Sequence, residues 1–134
     1  PDILTRFDRE LRHVFVNAAA TRATGLPPDH FIGKTNRELG MPADLCDRWD
    51  ACLRAVFETG QPQTVEFSFD SPDGVRHFQG RFIPEFGPDG EVVSTLGVTH
   101  DRTAEKIAAD ALLEADRRKD EFLAMLAHEL ISEA

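Results

Sequence analysis

Residues 14–39 read VFVNAAATRATGLPPDHFIGKTNREL, and this stretch decides how the first half of the chain is organised. A β-prone run ends at Asn17, and small residues follow it. Residues that interrupt regular structure then recur too often for any long element to form. They are Gly25, Pro27, Pro28 and Gly33. The stretch therefore predicts a strand that leads into loops and short helical turns.

The sequence on either side supplies further elements of the same domain. Residues 3–8 and 13–17 are both β-prone, so the chain is predicted to open with a hairpin. Residues 43–59 repeat apolar side chains at the spacing of an amphipathic helix. We expect Asp44 to cap the start of this helix, because its carboxylate can accept from free amides. Gly60 is expected to end it, because glycine tolerates the left-handed backbone found there.

Three runs that alternate with a period of two follow this helix, and each predicts a strand with one apolar face. Pro-Asp-Gly joins them at 72–74 and at 88–90, and this tripeptide favours tight turns. With the opening hairpin, the runs predict an α+β domain with a five-stranded antiparallel sheet and helices on one face. The predicted inward positions are Val65, Phe67 and Phe69; Phe78, Gly80 and Phe82; and Val92, Ser94, Leu96 and Val98.

Residues 101–130 contain no glycine or proline and are rich in helix formers, so they predict one helix about 45 Å long. So long a helix must extend beyond the domain, which divides the chain into residues 1–102 and 103–134. Apolar side chains recur in steps of four and three, the spacing of a coiled coil. They include Ala104, Ala108, Ala111, Ala115, Phe122 and Met125, and Arg118 interrupts them. A homodimer is the favoured interpretation; a helix that packs back on its own domain is the alternative.

The charge and the cysteines exclude several classes of function. Asp and Glu number 24 against 15 Lys and Arg, and the resulting net charge of -9 repels phosphate backbones, so nucleic acid is not an expected partner. Cys46 and Cys52 lack the spacing of metal ligands and are expected to be reduced thiols in a cytoplasmic protein. No run approaches the ~18 apolar residues of a membrane span, so we expect no membrane contact.

Residues 14–39 resemble the signature of PAS domains, with Asn17, Gly25 and Gly33 at the matching positions. The predicted element order agrees with the PAS fold, which has two strands, a long central helix and then three strands. The resemblance implies a small cavity between the helices and the sheet. We expect this cavity to be lined by Cys46, Trp49, Phe67, Phe69, Phe78, Phe82 and Leu96. A small organic ligand and no ligand at all are both compatible with these residues.

Two cofactors found in some PAS domains are not expected in this chain. The subclass that binds flavin covalently has Asn-Cys-Arg-Phe after its short helices, where this chain reads Thr35-Asn36-Arg37-Glu38. Haem-binding relatives use a histidine on the central helix, and residues 43–59 contain none. His30 and His77 lie outside that helix and are poor substitutes.

Asp101-Arg102-Thr103 resembles the Asp-x-Thr element at which PAS domains continue into their output helix. The resemblance implies that Asp101 and Thr103 form hydrogen bonds at this junction. Either residue could instead serve as an ordinary helix N-cap, since both side chains supply an acceptor oxygen.

Residues 119–130, KDEFLAMLAHEL, resemble the H-box of histidine kinase dimerisation helices. The resemblance implies that His128 accepts a phosphoryl group from ATP and that Glu129 accepts a proton. A response regulator receiver domain would then receive the phosphoryl group. Helical geometry agrees, because His128 lies opposite the apolar face of this segment. The alternative is a PAS interaction module in which His128 is incidental and Glu129 forms an ion pair.

The H-box match ends at Leu130, where the family continues with Arg-Asn-Pro or Arg-Thr-Pro and this chain reads Ile-Ser-Glu-Ala at 131–134. The 134 residues also contain no glycine-rich phosphate loop. We therefore expect ATP and Mg²⁺ to bind a kinase domain of a longer parent protein, without which this chain would not phosphorylate itself.

Overall fold

The computed structural model describes residues 2–71 and 73–133, whose strands form one five-stranded antiparallel sheet. The elements in chain order are β1 (Ile3–Phe7), β2 (His13–Val16), α1 (Ala18–Thr24), α2 (Pro28–Phe31), α3 (Ala43–Thr59), β3 (Gln63–Ser71), β4 (Gly74–Phe86), β5 (Val92–Asp101) and α4 (Thr103–Glu133). The predicted α+β class, the opening hairpin and the long terminal helix are confirmed. The chain divides into two units, residues 1–101 and 102–134.

The strand order in the sheet is β2-β1-β5-β4-β3, and every neighbouring pair is antiparallel. The last strand, β5, therefore lies between the first strand and the β3–β4 hairpin. Helix α1 packs on β1, α2 on β2, and α3 on β3, β4 and β5. The resulting core contains Phe7, Leu11, Leu53, Val56, Val65, Phe82 and Val92.

Helix α3 spans the predicted residues, but one of its predicted caps is wrong. Gly60 ends the helix with φ 68°, and its N–H donates to the Val56 carbonyl at 2.9 Å, as expected for a left-handed cap. At the start, Pro42 occupies the N-cap position and no side chain caps the helix. Asp44 lies two residues beyond the N-cap, in the first turn, where its negative charge still interacts favourably with the positive end of the helix dipole.

The predicted inward faces of β3 and β4 are confirmed, whereas that of β5 is wrong beyond Val92. Pairing with β4 shifts between Glu85 and Phe86, so that Val93 is an extra residue on β5. Such a bulge moves every later side chain to the opposite face. Thr95, Gly97 and Thr99 consequently face inward, and the residues predicted to do so, Ser94, Leu96 and Val98, lie on the outer face.

The second predicted turn is present, and the first lies partly outside the described residues. The Gly90 N–H donates to the Gly87 carbonyl at 3.0 Å, and Gly90 has the positive φ of 82° that the turn requires. Pro72 of the first turn is not among the described residues. On either side of it, the Ser71 hydroxyl donates to the Gly74 carbonyl at 2.8 Å.

Helix α4 is continuous over 31 residues. Its large apolar side chains are exposed in the single chain, among them Ile107, Leu112, Phe122, Met125 and Leu130. Glu114 forms ion pairs with Arg117 at 2.7 Å and with Arg118 at 3.3 Å, so the arginine that interrupts the apolar stripe has an acidic neighbour. Among the described residues, no helix is both long and apolar enough to cross a membrane.

Candidate functional site

A cavity of about 120 Å³ lies between the inner face of the sheet and the helices of residues 1–101. Five of the seven residues predicted to line it do so: Trp49, Phe67, Phe69, Phe78 and Phe82. Phe67 stacks on Phe78 with ring centroids 5.4 Å apart, and Trp49 meets Phe67 edge-on at 5.1 Å. The wall is thus largely aromatic, and binding of a ligand there stays a prediction.

The other two predicted lining residues, Cys46 and Leu96, lie elsewhere. Leu96 is on the outer face of the sheet because of the bulge at Val93. Cys46 is fully buried in the packed core, where its thiol donates to the Met41 carbonyl at 3.5 Å. Burial raises the pKa of the Cys46 thiol, which favours an inert packing role over thiolate chemistry.

Sequence reasoning missed the polar residues of the cavity, the first of which is His13. Its side chain lines the cavity and is 3% exposed. Nδ1 lies 2.7 Å from the carbonyl oxygen of Lys34. A carbonyl can only accept, so Nδ1 carries the proton and Nε2 of the neutral ring is an acceptor. Burial lowers the pKa of His13, partly offset by the Lys34 hydrogen bond, and the neutral form is favoured.

The loop that follows α2 holds this imidazole in place. The Lys34 carbonyl also accepts from the backbone N–H of His13 at 3.0 Å, and the Gly33 N–H donates to the His13 carbonyl at 2.8 Å. The ring packs between Phe7, at 4.5 Å between centroids, and Phe31, at 5.6 Å. Backbone and ring contacts together leave the imidazole little freedom to rotate.

Asn36 is the second buried polar residue of the cavity wall. It is 7% exposed, and its backbone carbonyl accepts from the Met41 N–H at 3.3 Å. Among the residues that the structure describes, none forms a hydrogen bond with its side-chain amide, nor with Nε2 of His13. Asn36 belongs to the segment that replaces the flavin motif in this chain. The flavin motif is recognised by its cysteine, which this chain lacks, so the comparison with that motif did not point to the side-chain amide of Asn36.

Gly97 preserves space beside the cavity. A Cβ on Gly97 would lie 2.4 Å from Oγ1 of Thr5 and 3.3 Å from the Phe82 ring. Both Thr5 and Phe82 line the cavity, so a side chain at position 97 would displace its wall.

A wider hollow of about 450 Å³ shares part of this wall and includes charged residues. Its lining contains Arg22, Arg76 and Asp101. Nε of Arg76 lies 3.0 Å and Nη2 lies 2.5 Å from Oδ2 of Asp101. Asp101 ends β5 and Thr103 begins α4, so this ion pair is next to the start of the helix in sequence. The junction roles of Asp101 and Thr103 stay predictions.

His128 and Glu129 lie on α4, and both are exposed in the single chain. The backbone carbonyl of His128 accepts from the Ser132 hydroxyl at 2.9 Å. Phe122 and Leu126 lie on the apolar side of the helix, and at about 100° per residue His128 points away from it. Within residues 2–71 and 73–133, no three His, Cys, Asp or Glu side chains are close enough together to hold a metal ion.

The sheet order, the helices on one face and the cavity between them define a PAS-type sensory domain. The sequence model of the PAS fold matches residues 1–107, and the chain belongs to this family. No curated protein sequence gave a match.

Several solved structures are similar in fold. VqmA of Vibrio cholerae, described as a LuxR-type receptor, is 25% identical over 75% of this chain and 46% of its own, with a TM-score of 0.68. The chain thus spans about half the length of the VqmA chains that it matches. The PAS domain of Bordetella pertussis BvgS is 23% identical over 87% of this chain and 89% of its own, with a TM-score of 0.69. A sensory box sensor histidine kinase from Vibrio cholerae is 12% identical over 75% and 82%, with a TM-score of 0.62.

Proposed function

We propose that this chain is the sensory and dimerisation module of a sensor histidine kinase. A signal received by the PAS unit would control ATP-dependent phosphorylation of His128, and a response regulator would then accept the phosphoryl group. The observation that carries the proposal is the KDEFLAMLAHEL sequence on an unbroken helix, with His128 exposed on the side opposite the apolar residues. Because this chemistry uses ATP, the proposal places the module in the cytoplasm.

The exposed imidazole suits in-line attack on a phosphoryl group. One ring nitrogen of His128 forms a bond to the γ-phosphorus while the bond to the β,γ-bridging oxygen breaks and ADP leaves. The other ring nitrogen would lose its proton to the carboxylate of Glu129, the next residue in the chain. The kinase domain of the parent protein would bind ATP and Mg²⁺, which neutralises charge on the phosphates.

The exposed apolar stripe of α4 supports a homodimer. Ala108, Phe122 and Leu126 fall within about 40° of one another around the helix axis. Paired with the same stripe of a second chain, these side chains would be removed from water along a coiled-coil seam. The H-box belongs to a dimerisation helix in the histidine kinases that this segment resembles, and a homodimer would supply the partner helix.

Similarity to VqmA bears both on the signal that the PAS unit receives and on the output that it controls. One similar structure is described as VqmA bound to DPO, which supports a small-molecule input for this PAS unit. Another similar structure is described as a VqmA–ligand–DNA complex, so a similar domain occurs in a protein with a different output. The formal net charge of -9 does not favour DNA as a partner of this chain. The rival function is therefore a PAS interaction module without phosphotransfer.

Labelled ATP tests the proposal on the parent protein that contains the kinase domain. We expect base-stable, acid-labile label in the wild type and none in His128→Gln. His30→Gln, which changes a histidine on α2, is the matched control and should retain the label. Glu129→Gln keeps the nucleophile and should slow labelling by roughly 10²-fold.

Folding of the variant must be separated from its chemistry. His128 is exposed, so His128→Gln should change the free energy of unfolding by less than about 0.5 kcal/mol. Undiminished labelling of a folded His128→Gln protein would refute the phosphoacceptor assignment, leaving the interaction module as the better account.

A further inference from the structure

We propose that the cavity binds a neutral, single-ring aromatic or heteroaromatic molecule that donates a hydrogen bond to Nε2 of His13 and forms a second polar contact with the Asn36 amide. The inference rests on the proposed sensory role of the PAS unit and specifies the chemistry of its signal.

The absence of charge from the described cavity wall argues for a neutral ligand. The side chains that line it are aromatic, aliphatic, thioether, hydroxyl, amide and imidazole groups, with no Asp, Glu, Lys or Arg among them. His13 adds no charge, because burial lowers its pKa and favours the neutral ring, whose single N–H is the Nδ1 proton donated to the Lys34 carbonyl. An ionised ligand would lose its hydration without gaining a counter-charge, which is strongly unfavourable.

The size and the ring geometry argue for one aromatic ring. A volume of about 120 Å³ accommodates on the order of ten non-hydrogen atoms, if one water-sized probe needs about 10–15 Å³. Phe67 and Phe78 are stacked, and Trp49 is edge-on to Phe67, so these three rings form a continuous aromatic wall against which a planar guest can pack. Aromatic pairs gain stabilisation beyond that from the area they bury.

The two polar side chains argue for a hydrogen-bond donor at the edge of that ring. His13 is 3% exposed and Asn36 is 7% exposed, so the surrounding fold holds both side chains closely. Both side chains line the cavity, and no described residue forms a hydrogen bond with Nε2 of His13 or with the Asn36 amide. Among the described residues, neither group is one of the fully enclosed side-chain atoms that lack a hydrogen-bond partner, so both have surface open to the cavity, where a bound molecule can reach them. His13 can only accept there, whereas Asn36 can donate or accept.

Three probes separate these requirements when titrated into the 134-residue chain. Phenol is a neutral ring with a donor, toluene is of the same size without one, and benzoate carries a charge. Dissociation constants come from amide shifts in ¹⁵N–¹H spectra. We expect phenol to bind at least about fivefold more tightly than toluene, as about 1 kcal/mol for one hydrogen bond implies. Benzoate should bind more weakly than either. Equal affinities for phenol and toluene would refute the donor requirement, and tighter binding of benzoate would refute neutrality.

A substitution assigns the preference to His13. His13→Phe keeps an aromatic ring and removes Nε2, so the ratio of the toluene to the phenol dissociation constant should fall from at least about five to about one. Because both constants are measured on the same variant, altered stability largely cancels from the ratio. Leu96→Ala, on the outer face of the sheet, is the control and should retain the wild-type ratio. A ratio that is unchanged in His13→Phe would overturn the assignment.

A measurement on the wild type covers the case in which His13→Phe does not fold. The ¹⁵N resonance of His13 Nε2 should shift on addition of phenol, because an unprotonated ring nitrogen changes its shielding when it accepts a hydrogen bond. Toluene should leave it nearly unchanged. If saturating phenol left the resonance in place, the contact would be disproved.

The outcome is independent of phosphotransfer. His128→Gln should bind phenol with wild-type affinity, since His128 lies outside the residues that line the cavity. Selective phenol binding in a parent protein that does not label His128 would leave this inference standing and refute the kinase proposal. Labelling of His128 in a protein without phenol selectivity would do the reverse.

Discussion

Substitution of Gly97 by alanine tests the assignment of this residue to the inward face of β5. The added Cβ would lie 2.4 Å from Thr5 Oγ1 and 3.3 Å from the nearest carbon of Phe82. Thr5 pairs directly with Gly97 on the adjacent strand, and Phe82 is buried in the core, so neither can retreat freely. Overpacking of this kind costs about 1–3 kcal/mol. Alanine recovers about 0.5–1 kcal/mol through its lower unfolded-state entropy, which leaves a net loss of up to about 2.5 kcal/mol, and of roughly 1 kcal/mol at the middle of both ranges.

The clash predicts a specific rescue. Thr5→Ala removes the oxygen in closest contact, so Gly97→Ala should cost less than about 0.5 kcal/mol in that background. The two substitutions should therefore couple by about 1 kcal/mol in a double-mutant cycle. Gly80→Ala is the matched control, because its Cβ would meet Val65 at 3.4 Å, an ordinary contact distance. It should be neutral or slightly stabilising.

Urea unfolding of the single and double variants gives each free energy. Additive effects of Thr5→Ala and Gly97→Ala, within about 0.3 kcal/mol, would refute the clash. A loss in Gly80→Ala as large as that in Gly97→Ala would show that glycine itself, not the space at position 97, is required.

Three further results are expected. Phe82→Ala should lower the free energy of unfolding in urea by about 3–5 kcal/mol, because it leaves a cavity in the core. Phe15 is half-exposed on the outer face, so Phe15→Ala should lower it by less than about 1 kcal/mol. Similar losses in the two variants would contradict the assigned faces. Burial lowers the pKa of His13, so below about 6.5 the unfolded chain binds a proton that the folded chain rejects, and the free energy of unfolding should fall as the pH drops through that value. His13→Phe should flatten this dependence, and an unchanged slope would show that the dependence does not arise from burial of His13. Leu126→Asp should shift light-scattering mass from dimer towards monomer, while Leu113→Asp, about 140° away around α4, should not; equal effects would exclude the proposed seam.

Most of the backbone arrangement could be predicted from sequence because it depends on local patterns. The period-two alternation of β3 and β4, the amphipathic spacing of α3 and the glycine at its end are each complete within a short segment. The β5 register could not be predicted in this way. Val92 faces inward as the alternation requires, but one extra residue, Val93, reverses every later position. A bulge depends on the pairing partner, and that partner is not visible in the strand's own sequence.

The two proposed sites also differ in whether their geometry depends on local sequence or on tertiary contacts. The proposed phosphoacceptor site is contiguous: KDEFLAMLAHEL carries the proposed nucleophile, the proposed proton acceptor and the apolar face on one helix, so the sequence predicts its geometry directly. The polar end of the cavity is assembled across the fold. His13 belongs to a run that favours a strand, and only the Lys34 carbonyl, 21 residues later, determines which of its nitrogens is the acceptor. Asn36 lies in a loop without a motif. A ligand is recognised by the atoms that remain unpaired after the chain has folded, and these follow from tertiary hydrogen bonds, not from residue type. For this chain, the proposed output chemistry therefore follows from the sequence, whereas the proposed input chemistry follows only from the structure.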